Sequence, residues 1–359
     1  MRGALVIAIC ISMVLAGAVG CQNTAPQATP PLPQSTSAST PTSSPTQVEE
    51  AVAAPSQVAN PLRFTLPTPG VIPVSAWRPP LYPVPWALGE HDHFYFARPV
   101  AADEVNWPLP VYRYGNTEFG GDRPHTGVDI VTPLGTPVLA AASGRVIWSG
   151  IGLYNGYEDP EDPYGIAIAI RHDFGYGGER LYSAYAHLSE TLVERGDYVE
   201  LGDTIGLSGD TGWVTAPHLH FEVRLGSNDY FHSVNPELWF SPPQGWGVLV
   251  GKIMSSGGAL LLDQEMRITS QESNRRWYVK SYGTLDVINR DPYYRENFVL
   301  SGLPAGIYDI FIPYNGYEMF YTIEIIPGGV TFFNFWGLNR FDSELPQGSV
   351  PESVPYELE

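Results

Sequence analysis

Downstream of about Trp107 the chain is written in short alternating runs closed by turn residues, and this rhythm constrains the fold most. "GIAIAIRHD" and "LYSAYAHLS" alternate with the period of a strand. "ERGDYVELGDTIGLSGDTG" puts a glycine every few residues, where tight turns need backbone conformations that glycine adopts without strain. Glycine (37) and proline (34) together make about a fifth of the 359 residues, and long helical patterns are few. The pattern predicts an all-β chain, long enough for two domains once terminal segments are removed. No second apolar run long enough to cross a membrane follows the N-terminal one.

The net charge of −19 argues against a nucleic-acid partner, because neutralising phosphates requires Lys and Arg. The two cysteines are Cys10 and Cys21. The globular part therefore has neither disulfides nor thiolate ligands, and any metal must be held by His, Asp or Glu.

Arg2 followed by "ALVIAICISMVLAGAV" reads as an export signal over residues 1–21. Its end, "AGAVGC", resembles the lipobox of bacterial lipoproteins, with Ala18 where that motif prefers Leu. Lipidation of Cys21 and membrane anchoring are the expectation. The alternatives are a secretory signal cut near Ala18, leaving a secreted protein, or an uncleaved anchor. Residues 22–60 are rich in Ser, Thr, Pro, Ala and Gln, and cannot bury enough apolar surface to fold. As a tether they would span about 35 Å.

Residues 61–105, rich in Pro and Trp, read as an extension packed on a following domain. Residues 106–240 read as one β-domain and "SPPQGWG" (241–247) as a hinge. Residues 246–340 read as a β-sandwich, and 341–359 as an acidic tail. Oligomeric state is not legible.

The candidate chemistry begins at "TAPHLHFEVR", where His218 and His220 share one face of a strand. They are either polar residues on a wet face or partners at one metal ion. Upstream, "HTGVD" sets His125 and Asp129 four apart, with Gly127 allowing close chain approach, and "YAHLSE" carries His187. The ordered set of five is far more specific than any part. Other candidates are weaker. His91 and His93 read as structural, His172 as a strand-end or nearby group, and His232 as a surface residue without a partner. The acids of Glu158–Asp162 read as a solvated insertion, and Trp213 and Thr215 as cleft lining.

The segment from about Tyr112 to Arg224 resembles the catalytic domain of the M23 peptidases, the lysostaphin and LytM family of zinc endopeptidases that cut peptidoglycan. "HTGVD", "GTPVLAAASGRV", "YGIAIAIRHD", "YAHLS", "RGDYVELGDTIGLSGDTG" and "PHLHFEVR" carry the likeness. The resemblance implies a β-sheet catalytic domain of the duplicated-hybrid-motif kind. It also implies Zn2+ held by His125, Asp129 and His220, with His187 and His218 as catalytic non-ligands, and a peptidoglycan peptide as substrate. Two imidazoles and one carboxylate would leave the ion an open position. The alternative is a catalytically silent M23-like protein that binds wall or activates another hydrolase. "GVLVGKI", "LSGLPAGIYDIFI" and "IEIIPGGVTFFNF" resemble the carboxypeptidase-regulatory, prealbumin-like sandwich, an Ig-like architecture.

Overall fold

A computed structural model describes residues 81–100, 112–117, 124–284, 286–338 and 340–348. The export signal, the tether, Cys21 and the start of the extension lie outside the described residues. The described chain is all-β, with only two short 3-10 turns.

The first sheet is built from β1 (Val128–Val131), β2 (Pro137–Leu139), β3 (Gly144–Ile151), β4 (Ile166–Tyr176), β5 (Glu179–Thr191), β6 (Tyr198–Val199), β7 (Thr204–Ser208), β8 (His218–Leu225) and β9 (Ser233–Val234). Its main path runs β1-β8-β5-β4-β3-β6; β7 branches from β5 and carries β2, and β9 pairs with β8. Strand β8 alternates strictly. Leu219, Phe221 and Val223 enter the hydrophobic core, so His218, His220, Glu222 and Arg224 occupy the opposite face.

Two four-stranded sheets follow, formed by β10 (Trp246–Met254), β11 (Glu265–Ser270), β12 (Arg276–Lys280), β13 (Phe298–Pro304), β14 (Gly306–Tyr314), β15 (Tyr317–Ile325), β16 (Val330–Trp336) and β17 (Phe341–Asp342). Their orders are β13-β10-β16-β17 and β12-β11-β14-β15. Strands β10 and β16 run parallel, and the other pairs are antiparallel.

The middle sheet is covered on both sides. Leu249, Ile253, Leu300 and Phe333 pack against Ile268, Ile310 and Ile325 of the outer sheet. Val248, Val250, Val299 and Phe332 join Phe94, Phe96, Phe221 and Trp239 in the core of the first sheet. This explains why "GVLVGKI" reads as a continuous apolar run, since strands buried on both faces do not alternate. The stretch 241–247, read as a hinge, is instead largely buried. Ser241 donates from its backbone to Phe96 O at 2.8 Å, and its hydroxyl donates to Tyr82 O at 2.7 Å. Residues 81–100 cross this seam, bridging Leu81 to Pro243, Phe96 to Phe240 and Val100 to Val138.

A buried ion pair pins the same junction. Arg113 Nη1 donates to both oxygens of Glu237, at 2.6 and 2.5 Å, and Ser301 donates to Glu237 Oε2 from its backbone (2.8 Å) and its hydroxyl (2.7 Å).

Candidate metal centre

Antiparallel pairing of β1 with β8 sets Asp129 directly opposite His220. His125, just before β1, turns back over the same spot. The tight approach depends on Gly127: a Cβ there would lie 2.4 Å from Phe221 O and 2.8 Å from the His220 ring. His125 Nε2 is 3.0 Å from Asp129 Oδ1 and 3.1 Å from His220 Nδ1, and His220 Nδ1 is 2.9 Å from Asp129 Oδ1. These three buried residues are a group able to hold a metal ion.

The donor set fits a zinc-like cation. Two imidazole nitrogens and one carboxylate oxygen form a compact triangle, close to the roughly 3.3 Å edges that bonds of about 2.0–2.1 Å give a tetrahedron. One carboxylate oxygen facing two adjacent ring nitrogens is satisfied by hydrogen bonds only if both rings carry a proton there. A cation uses all three lone pairs at once. Burial by itself would raise the Asp129 carboxyl, but the charges and hydrogen bonds of His125 and His220 outweigh it and hold the acid well below the usual range.

Sequence reasoning missed the support behind His220. Its Nε2 lies 3.0 Å from Glu222 Oε1. That carboxylate is fully buried and also accepts from Thr126 Oγ1 (2.6 Å), Tyr164 OH (2.5 Å) and Arg224 Nε (2.7 Å). Arg224 in turn donates to Tyr164 OH at 3.2 Å and to Asn228 Oδ1 at 2.9 Å. Burial opposes protonation of His220, yet the Asp129 and Glu222 hydrogen bonds raise its pKa to about 9. A carboxylate behind a ligating imidazole fixes the tautomer and aims the other nitrogen at the ion. The signal was in the strand period: the alternation of "HLHFEVR" puts His218, His220, Glu222 and Arg224 on one polar face.

His187 and His218 flank the triangle. Their ring centroids are 4.8 Å apart, and the His187 ring is 5.6 Å from that of His220. His187 holds a left-handed backbone (φ 61), which non-glycine residues adopt uncommonly. Its Nδ1 donates to Thr211 O at 2.9 Å, leaving Nε2 with the lone pair. Burial, then the charges of His220 and His218, depress its pKa to about 3, so the ring is neutral near pH 7. His218 Nδ1 donates to Ala216 O at 2.8 Å, and its Nε2 lies 3.5 Å from Asp129 Oδ2.

The remaining candidates lie elsewhere or play other parts. His93 is buried 3.0 Å from Asp291, and His91 stacks on Tyr293. His172 sits in the core between Ser143 O and Ser183 Oγ, away from the centre. His232, expected to be unpartnered, is exposed but pairs with Asp229 at 2.7 Å. Asp162 of the acidic insertion is buried and caps the turn that delivers Tyr164, accepting from the backbone of Tyr154, Asn155 and Tyr164. Tyr164 stacks on His220 with centroids 5.6 Å apart. Trp213 and Thr215 are exposed beside β8.

An all-β sheet thus gathers a His–Asp–His donor set able to hold a metal ion, with two further histidines beside it. Residues 123–236 match the model of peptidase family M23, and the chain carries a domain of that family. Lysostaphin of Staphylococcus simulans is 33% identical over 175 residues, covering 48% of this chain and 30% of that protein. The peptidoglycan DD-endopeptidase ShyA of Vibrio cholerae is 40% identical over 100 residues, covering 28% of this chain and 20% of that one. Among solved structures, the catalytic domain of S. simulans lysostaphin is 35% identical, covering 35% of this chain and 86% of that one with a TM-score of 0.30. The chain spans less than a third of the length of the curated relatives it matches. No helix among the described residues is long and apolar enough to cross a membrane.

Proposed function

We propose that this protein is a zinc metalloendopeptidase that hydrolyses peptide bonds of bacterial peptidoglycan, in cross-links or stem peptides. The convergence of His125, Asp129 and His220, with His187 and His218 alongside, carries the reading. The peptidoglycan enzymes among the relatives support the substrate class.

In this reading His125, Asp129 and His220 hold the ion, which supplies Lewis acidity and a water acidic enough to act as nucleophile near neutral pH. His187, whose Nδ1 is engaged with Thr211 O, presents its Nε2 lone pair to the site as a proton acceptor. His218, whose Nε2 lies 3.5 Å from the Asp129 carboxylate, stands within reach of a developing oxyanion or leaving amine. Burial of the His220–Glu222 pair keeps water from competing for the ligand geometry.

The N-terminal sequence supports export and a lipid on Cys21, with the tether letting the enzyme act near the membrane that anchors it. Residues 106–240 are the catalytic unit in this reading, and 246–340 a prealbumin-like companion.

The test is release of new amino groups from purified sacculi by the wild type, His220→Ala and His218→Ala, with zinc measured in each. Both variants should be inactive, and only His220→Ala should lose most of its zinc. A wild type that binds wall but releases no amines would favour a silent wall-binding protein. All five positions are filled here, which weighs against that rival.

A further inference from the structure

His220 has a carboxylate behind it, and His125 does not. The His125 Nδ1, the ring nitrogen turned away from the donor triangle, is buried with no hydrogen-bond partner among the described residues. What orients this ring is the segment Tyr112–Asn116. Tyr112 stacks on it with centroids 4.1 Å apart and planes 17° apart. Two backbone bonds lock the rest: Gly115 N–H donates to His125 O at 2.8 Å, and His125 N–H donates to Asn116 O at 2.9 Å.

That segment is itself gripped from the C-terminal sheets, by the connection between β12 and β13. Gly283 N–H donates to Gly115 O at 2.8 Å. Tyr114, Tyr282 and Ile288 form a small buried cluster of their own, with the two tyrosines edge to face at 5.5 Å. Tyr114 OH donates to Ser233 O at 2.8 Å and accepts from Asn289 N–H at 3.0 Å. Asn289 Nδ2 reaches Phe231 O (2.7 Å) and Ser233 O (2.9 Å). Val287 packs with the aromatic cluster of Tyr154, Tyr164 and Tyr230, and Tyr164 is the residue stacked on His220. One connection therefore supports both imidazoles of the triangle, from two sides.

We infer that Tyr282, Gly283, Val287, Ile288 and Asn289 are a bracket that positions His125, so that metal binding by the first sheet depends on the C-terminal sheets. The inference rests on the zinc reading above. Its members are positioning residues, acting through Tyr112–Asn116 and never touching the reacting atoms. The C-terminal part is then a component of the active site, whatever else it binds. Ligand imidazoles normally owe their orientation to an outer hydrogen bond; here packing and main-chain bonds stand in for it at His125.

The experiment measures zinc dissociation constants by chelator competition, and hydrogen exchange of the His125 and Gly115 amides, in the full chain. Gly115→Ala opens the bracket, because a Cβ there would lie 2.6 Å from the Tyr282 ring and Gly115 has φ +83. Tyr114→Phe is the milder variant, removing one hydroxyl. Leu300→Ala, in the core between the two C-terminal sheets, is the control for lost stability alone. Both bracket variants should raise the zinc constant, Gly115→Ala at least tenfold, and speed exchange of the two amides. Leu300→Ala should lower the unfolding midpoint and leave the zinc constant in place. A zinc constant unchanged within twofold in both bracket variants overturns the inference, as does an equal rise in Leu300→Ala at matched stability. A wild type that takes up no zinc sinks the zinc reading instead, and the bracket is then decided by amide exchange alone.

Discussion

The Nε2 of His220 lies 3.0 Å from Oε1 of Glu222, a carboxylate without any exposed surface. Four donors converge on that acid, and one of them is the equally buried Arg224. Glu222→Gln keeps the shape but removes the charge that Arg224 and His220 share. Zinc affinity should fall by about 10- to 100-fold. Stability should drop by about 3 kcal/mol or more, because a buried guanidinium loses its counter-charge. Chelator competition and denaturant unfolding measure the two effects, and unchanged zinc affinity would remove Glu222 from the site.

Gly127→Ala tests the close approach of "HTGVD" to β8. The added methyl meets a backbone oxygen at 2.4 Å, which cannot swing aside as a side chain could. Strand β1 must shift away from β8, separating Asp129 from His220. We expect a loss of about 1–3 kcal/mol in stability and weakened zinc binding. A variant with wild-type zinc content and midpoint would contradict the packing described for this strand pair.

His187→Asn separates chemistry from metal binding. Asn tolerates the left-handed backbone at this position better than most residues, so the fold should survive. Without the imidazole, hydrolysis of sacculi should fall by about 10²–10⁴-fold while zinc content stays at the wild-type level. Zinc lost in parallel with activity would mean that His187 is a ligand.

His172 governs part of the pH dependence of stability. Burial is the main cause that depresses its pKa to about 4, and its hydrogen bond to Ser143 O opposes this only in part. The unfolded chain binds a proton at His172 near pH 6.5, where the folded chain does not. Stability from this group is therefore complete above about pH 6.5 and is lost as pH falls through 4. The slope it adds is at most about 1.4 kcal/mol per pH unit. His172→Gln should flatten the stability profile between those limits in urea unfolding, and an unchanged slope would rule the group out.

Arg113→Met tests the junction of the first and middle sheets. It leaves Glu237 fully buried, with only its hydrogen bonds to compensate the charge. The expected loss is about 3–5 kcal/mol. Arg113→Met with Glu237→Gln should recover much of it, and additive losses in the double variant would show that the two residues do not act as a pair.

The five residues of the candidate site were legible because their chemistry is rare and their order is specific: His125, Asp129, His187, His218 and His220 have few bland explanations as a set. The all-β class was legible for a similar reason, since a period of two closed by glycine turns is a local property of the chain. The alternation in β8 even announced Glu222 and Arg224, but only as positions on a face. Which groups meet on that face depends on loops far away in sequence, such as the turn that Asp162 caps to bring Tyr164 over His220. The supposed hinge at 241–247 failed on the same ground: proline and glycine signal a turn, and burial decides whether a turn can move. Strand β10 was legible as one strand of a sandwich, but its burial on both faces was visible only in the structure. Local sequence thus determined the strands and the candidate donor residues, because dihedral preference, side-chain period and donor chemistry are written residue by residue. Tertiary structure alone decided that one C-terminal connection braces both imidazoles, because that contact joins segments more than a hundred residues apart and exists only once three sheets share their cores.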